Sequence, residues 1–90
     1  MDFVRNDQAS QYQAVSDGDV LAVIDFHVND QVATFTHTGT EPEAQGQGLA
    51  GQLTDFALQD LRERGLKVSP KCPFTKRWID KFDQYADLLA

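Results

Sequence analysis

Apolar and polar positions alternate over the first part of this chain and then change to a helical rhythm. Ser10 to Val15 reads as a strand and Val20 to Val28 as a second. In the second, Val20, Ala22, Ile24, Phe26 and Val28 share one face, and Leu21, Val23, Asp25 and His27 the other. A period of two marks half-buried strands. Between them, Ser16-Asp17-Gly18-Asp19 carries the Asp-Gly signal of a hairpin. Asn29-Asp30 reads as another tight turn and Gln31 to Thr38 as a third strand. Three antiparallel strands in a meander result, with a short piece near Phe3 at the edge.

Leu49, Leu53, Phe56, Ala57 and Leu61 come next at spacings of 4, 3, 1 and 4, which is one helical face. The spacing predicts a helix from about Gly48 to Arg64, with Gly65 as its left-handed terminator and Leu66 packing back. Leu66 to Ser69 is a short strand that Pro70 ends. Pro73 suits the first position of a second helix, and Phe74, Trp78 and Phe82 recur every four residues as its expected buried stripe. Tyr85, Leu88 and Leu89 complete the chain's apolar positions. The strand after the long helix is expected to lie parallel to the one before it, through a right-handed crossover. The predicted fold is therefore α+β, an antiparallel β-meander followed by helix, parallel strand and short C-terminal helices. It forms a single domain over residues 1–90.

The loop Gln45-Gly46-Gln47-Gly48-Leu49-Ala50 runs straight into the long helix. Free amides at a helix start and the helix dipole favour an anion there. Glycines let a phosphate approach the backbone. Gly46, Gly48 and Gly51 have the glycine spacing of the dinucleotide fingerprint, but an antiparallel meander rather than a βαβ unit precedes them, and no Gly-Lys-Ser/Thr of a P-loop comes after. Gln45-x-x-Gly48-x-Ala50 instead resembles the pyrophosphate loop of the GNAT superfamily of N-acetyltransferases, which cradles the diphosphate of coenzyme A.

Charge divides the chain unevenly. Residues 1–61 hold ten acids and one base, Arg5, for −9; residues 62–90 hold seven bases and four acids, for +3. The net charge of −6 argues against general nucleic-acid binding, and the basic C-terminal third can steer an anionic ligand. No apolar run approaches a membrane span, and the first residues lack signal-peptide character. One cysteine makes no internal disulfide, so a reducing cytoplasm is the simplest compartment. His27 and His37 have no zinc-type spacing, and no metal is expected.

Cys72 precedes Pro73 and falls at or near the N-cap of the second helix, beside Lys71, with Lys76 and Arg77 one turn on. Each of these favours the thiolate. Cys72 is thus a candidate nucleophile or acyl acceptor, against the alternative of a small core residue. The block Leu66-Lys67-Val68-x-Pro70-x-Cys72-Pro73-Phe74, then Trp78-Ile79 and Tyr85, looks like the C-terminal part of a small single-cysteine GNAT-like subfamily, the YjdJ type; His37-Thr38 also fits. The resemblance covers roughly residues 20–90. It implies a compact acetyl-coenzyme A-binding fold without N-terminal helices. Its pantetheine arm would lie along Thr38, Gly39 and Thr40, its pyrophosphate on Gln45, Gly46, Gln47, Gly48, Leu49 and Ala50, and Pro73, Phe74 and Lys76 would add contacts from the second helix. The chain departs from that pattern at Gly39, where Glu is usual, at Thr40-Glu41-Pro42, where the family favours Val-Pro-Pro, and at Phe82-Asp83 before Gln84-Tyr85.

The expected activity is acetyl transfer from acetyl-coenzyme A to an amine acceptor whose identity the chain does not reveal. His37, Glu41 or Glu43 is the candidate base, Tyr85 the candidate acid for the leaving thiolate, and Cys72 the candidate carrier in a covalent route. The alternatives are a coenzyme A-binding module without turnover and an interaction domain that keeps only the fold. The expected assembly is a monomer or weak homodimer.

Overall fold

The computed structural model describes residues 1–90. Its elements are β1 (Asp2–Asn6), β2 (Gln11–Ser16), β3 (Asp19–Asn29), β4 (Val32–Thr40), α1 (Leu49–Arg64), β5 (Lys67–Pro70) and α2 (Pro73–Lys81). Short 3₁₀ turns cover Pro42–Ala44 and Asp83–Leu88. The strands form one sheet in sequence order. The first four run antiparallel and β5 joins β4 in parallel, as the crossover rule requires.

Turn chemistry fixes the hairpins. Asp17 and Gly18 have φ of 50° and 83°, and Asp30 and Gln31 have φ of 52° and 66°. Two consecutive positive φ values make the turn whose twist matches the flanking strands. The second turn therefore centres on Asp30-Gln31, one residue later than the sequence suggests, because the strand pairing keeps Asn29 opposite Val32.

Both helices pack on one face of the sheet. Tyr12, Ile24, Phe35 and Val68 meet Leu53, Leu58 and Leu61 of α1 in a fully buried core, and Ile79 of α2 joins them. Helix α1 ends at Gly65 in the left-handed region, and Leu66 N–H returns to the Leu61 carbonyl at 2.9 Å, satisfying last-turn acceptors. A polar clasp closes the far side: Tyr12 donates to Asp60 at 2.7 Å, where Arg64 also donates at 2.7 Å and Arg5 reaches at 3.4 Å.

Two bulges break the alternation. Ala14 pairs with Ala22 and Val15 with Val20, leaving Leu21 as the extra residue on β3. Phe26 pairs with Phe35 and Asp25 with His37, leaving Thr36 extra on β4. Each extra residue reverses the facing of the strand beyond it. Val20 consequently leaves the face it was expected to share with Ala22, Ile24 and Phe26 and is exposed. Val28 is exposed as well, at the hairpin end of β3. The stripe Phe74, Trp78 and Phe82 is only half-buried; Cys72, Thr75 and Ile79 are the residues that α2 and its cap send into the interior.

Candidate functional site

Strands β4 and β5 pair only from Val32 to Phe35 and from Lys67 to Pro70. The amides of Lys71 and Cys72 both close onto the Phe35 carbonyl, at 3.0 and 2.9 Å. Beyond that point β5 turns into α2, while β4 runs on to Thr40 with β3 as its one strand neighbour. A wedge opens between β4 and α2. The Thr36 bulge sets the facing within it: Thr38, opposite Ile24, looks to the helices, and His37 and Gly39, opposite Asp25 and Val23, look to the bare side of the sheet.

A cavity of about 320 Å³ lies on the helix side, lined by Thr40, Ala44, Gln45, Gly46, Gly48, Leu49, Ala50, Gly51, Phe74 and Trp78. Gly46 and Gly48 have φ of 83° and 71°, and a Cβ on either would meet nothing within 4 Å. The left-handed backbone requires glycine, and no side chain fills the space beside the helix start. No side chain caps α1 either, so its first amides stay available to an anion. The residues present fit a diphosphate. Gln45 braces the loop by donating from Nε2 to the Thr40 carbonyl at 3.3 Å.

A second cavity, also about 320 Å³, opens on the bare face and is lined by Val20, Leu21, Ala22, Val23, His37, Gly39, Thr40 and Glu41. Thr40 borders both cavities. The Glu41 amide donates to the carbonyl of the bulged Leu21 at 2.8 Å, which fixes the strand end between them. His37 is exposed and folds over Gly39, where an added Cβ would come within 3.1 Å of His37 Nε2.

Cys72 is the N-cap of α2 and is 5 % exposed. Its Sγ lies 3.4 Å from Thr38 Oγ1. Burial pushes the thiol up, but the Thr38 hydroxyl, the Thr75 and Phe74 amides of the helix start and the Thr75 hydroxyl outweigh it and hold it below its ordinary value. Thr75 is fully buried, and its Oγ1 has no hydrogen-bond partner while Cys72 is a thiol; the thiolate supplies the missing acceptor, which is how this hydroxyl favours the charged form. Cys72 lines neither cavity. It sits at the deep end of the wedge beside Thr38, which lies two strand residues, or roughly 7 Å, from Thr40.

The structure therefore gathers Thr40, Gln45, Gly46, Gly48, Leu49, Ala50 and Phe74 around the first cavity. It sends Gly39 and His37 to the second and Thr38 to Cys72. Gln47 and Pro73 are exposed and border neither. Lys76 is exposed and borders neither cavity; it lies two residues before Trp78, nearly opposite on the helix. Tyr85 lines neither cavity. Its side chain is buried and its hydroxyl donates to Asp55 Oδ1 at 2.8 Å, the same oxygen that takes the indole N–H of Trp78 in the wall of the first cavity. Burial and then Asp55 push this phenol up. Sequence reasoning missed Gly51 and Trp78 as cavity walls. A glycine in the first turns of a helix weakens it, and that was the available signal.

No group of three or more His, Cys, Asp or Glu side chains is placed to hold a metal ion. No helix is long and apolar enough to cross a membrane.

Comparison with known proteins agrees with this geometry. The solution structure of a GCN5-like protein from Staphylococcus aureus superposes with a TM-score of 0.75 at 25% identity, over 99% of this chain and 87% of that one. The crystal structure of the ribosomal-protein-S18-alanine N-acetyltransferase from Escherichia coli gives 0.66 at 20% identity, over 79% of this chain. The match spans about half of that enzyme, 49%, and shows the shared fold. No curated protein matches the chain at a significant level. The model of the GCN5-related N-acetyl-transferase family matches residues 11–88, and with the wedge, the glycine loop and the parallel β4–β5 pair in place, the chain belongs to that family.

Proposed function

We propose that the domain transfers the acetyl group of acetyl-coenzyme A to an amine, with Cys72 carrying it between the two. One observation carries this reading: two cavities of similar size flank the end of β4 and share Thr40. The glycine-loop side suits the donor's diphosphate, and the bare side, with His37 and Glu41, suits an amine. Pantetheine laid along Thr38 to Thr40 leads from the loop toward Cys72.

In this reading the Cys72 thiolate attacks the thioester carbonyl. The bond from that carbon to the coenzyme sulfur breaks, and coenzyme A leaves as a thiolate that takes a proton from water. A neutral amine then attacks acetyl-Cys72, the new C–S bond breaks, and Cys72 returns as the thiolate. The amine's proton passes through water at the open end of the wedge to His37, which looks to the other face of the sheet. The Thr38 hydroxyl and the start of α2 support the charged sulfur. A reducing compartment, the cytoplasm, keeps the thiol free.

A second reading is a coenzyme A-binding module without turnover. It is favoured by the engagement of Tyr85 with Asp55, which leaves no phenol in the wedge to protonate the leaving thiolate.

The test is a titration with acetyl-coenzyme A followed by intact mass measurement and an amine screen. One acetyl group added to the wild type, absent from Cys72→Ala, and discharged by an amine is the expected result. His37→Gln is expected to keep the adduct and slow its discharge. Cofactor binding with no adduct and no amine-dependent thiol release would leave the binding module; no binding at millimolar cofactor would sink both.

A further inference from the structure

Thr54 on α1 and Thr75 on α2 are both fully buried. Thr54 is satisfied in the ordinary way, donating from Oγ1 to the Ala50 carbonyl one turn back at 2.7 Å. Thr75 Oγ1 has no partner. A valine would fill nearly the same space without stranding a hydroxyl, so packing does not account for threonine here.

Capping does not account for it either. Thr75 is the third residue of α2, after the N-cap Cys72, and a polar side chain at that position commonly takes the N-cap amide. That amide is given to the Phe35 carbonyl at 2.9 Å, and the Cys72 carbonyl receives the Lys76 amide at 3.1 Å. What remains for the hydroxyl is the Cys72 sulfur, three residues back on the same side of the helix. Across the wedge, Thr38 Oγ1 lies 3.4 Å from the same sulfur. As a thiol, Cys72 has one proton, which points to Thr38. As a thiolate it has none, and both hydroxyls turn to donate.

Neutral donors rather than cations thus flank the sulfur. Lys71, Lys76 and Arg77 are exposed, whereas Cys72 is buried. Lys67 of β5 is bonded to the Asp87 carbonyl, His37 of β4 looks to the other face of the sheet, and Asp55 of α1 is engaged by Trp78 and Tyr85. Against burial, which pushes the thiol up, stand the Thr38 hydroxyl and the start of α2, to which Thr75 adds both its amide and its hydroxyl.

We propose that Thr75 is a catalytic residue, its hydroxyl held idle beside the Cys72 thiol and donating to the sulfur whenever the sulfur carries charge. The inference rests on the reading that Cys72 carries the acetyl group. In that cycle the sulfur is charged twice: before it attacks the thioester carbon, and after the carbon–sulfur bond of acetyl-Cys72 breaks and its electron pair returns to Sγ. Thr75 keeps its own proton throughout. Attack gains thiolate and gives up some nucleophilicity, whereas discharge gains outright, because a stabilised thiolate leaves faster. The cost is a stranded hydroxyl in the resting core.

Thr75→Val removes the hydroxyl at nearly constant shape, and Thr75→Ser keeps it. The test compares both with the wild type in three measurements: ultraviolet thiolate absorbance against pH, the rate at which an amine discharges acetyl-Cys72, and urea midpoints at about pH 5, where the sulfur is protonated. Thr75→Val is expected to raise the thiolate midpoint by about one pH unit, as for one charge-assisted hydrogen bond, and to slow discharge severalfold. Its urea midpoint is expected to equal or exceed that of the wild type. Thr75→Ser is expected to keep the wild-type thiolate midpoint. The wild-type thiolate midpoint should be the same at low and high salt, because no exposed cation supports the charge. An unchanged thiolate midpoint in Thr75→Val overturns the inference, and an acetyl adduct in that case leaves the carrier reading standing. Lower stability of Thr75→Val in the acid melt gives the hydroxyl a structural role and overturns the inference as well. A wild-type midpoint that climbs with salt assigns the thiolate to Lys71, Lys76 and Arg77 instead. A shifted midpoint in a protein that acetyl-coenzyme A does not acetylate sinks the carrier reading and leaves Thr75 as a donor to the sulfur.

Discussion

Trp78 abuts Gly51, so close that a Cβ on Gly51 would fall 2.3 Å from the indole Cη2 and 2.6 Å from Cζ3. The ring is pinned at its other edge by Asp55. Helix α2 thereby uses the missing side chain of α1 as its seat, and the same contact forms one wall of the loop cavity. The indole cannot swing aside without breaking its hydrogen bond.

Gly51→Ala is therefore expected to destabilise the domain by about 1–3 kcal/mol through overpacking, even though alanine gains roughly 1 kcal/mol of helix propensity over glycine. Urea unfolding followed by Trp78 emission measures the net change. A variant more stable than the wild type would mean that the seat is loose.

Asp55 is expected to matter through two donors at once. Its Oδ1 accepts from both Trp78 Nε1 and Tyr85 Oη at 2.8 Å. Asp55→Ala strands both and is expected to lose about 2–3 kcal/mol. Asp55→Asn keeps an oxygen and should lose less. Paired urea melts of the two variants decide this, and equal losses would contradict it.

Acid stability should depend on Asp60. Burial would raise its carboxyl, but the Tyr12 hydroxyl, Arg64 and Arg5 outweigh that and hold it below the usual range. A lowered folded value stabilises the protein above the ordinary aspartate value of about 3.9. That contribution is lost as pH falls through the folded value. Asp60→Asn should accordingly be less stable at neutral pH and show a shallower further loss between about pH 5 and 2. Denaturant midpoints across that range test the difference in slope.

The thiolate of Cys72 should appear below the ordinary cysteine value, and Thr38→Val should move its midpoint upward by removing the hydroxyl 3.4 Å from Sγ. Ultraviolet thiolate absorbance against pH tracks both proteins. An unchanged midpoint would assign the effect to the start of α2 alone.

Much of this architecture was legible in the residues. Alternation in Ser10–Val15 and Val20–Val28, the Asp-Gly turn and the Leu49–Leu61 face located the strands and α1, because burial on one face writes a period into the chain. Gly65 and Pro73 marked boundaries through backbone geometry that other residues resist. The glycine loop found the first cavity. What the period could not carry was its own interruption: nothing in the composition of Leu21 or Thr36 announces an extra residue, since a bulge is chosen by the partner strand. The neighbours of Tyr85 and Lys76 stayed hidden for a related reason. Spacing gives the side of a helix on which a residue falls, whereas the neighbour that occupies that side is set by tertiary packing. The half-exposure of Phe74, Trp78 and Phe82 comes from the same limit.

The bulge at Thr36 has an evolutionary corollary. It makes the division of labour along β4 a matter of parity. Pairing the strands without the bulge while keeping every residue would slide β4 by one position and exchange the surfaces addressed by His37 and Thr38, while the hydrophobic content hardly changed. Deleting Thr36 itself would leave His37 opposite Asp25 and Thr38 opposite Ile24. Position 36 should thus tolerate a deletion that preserves both surfaces, a constraint on length to which substitution patterns are blind.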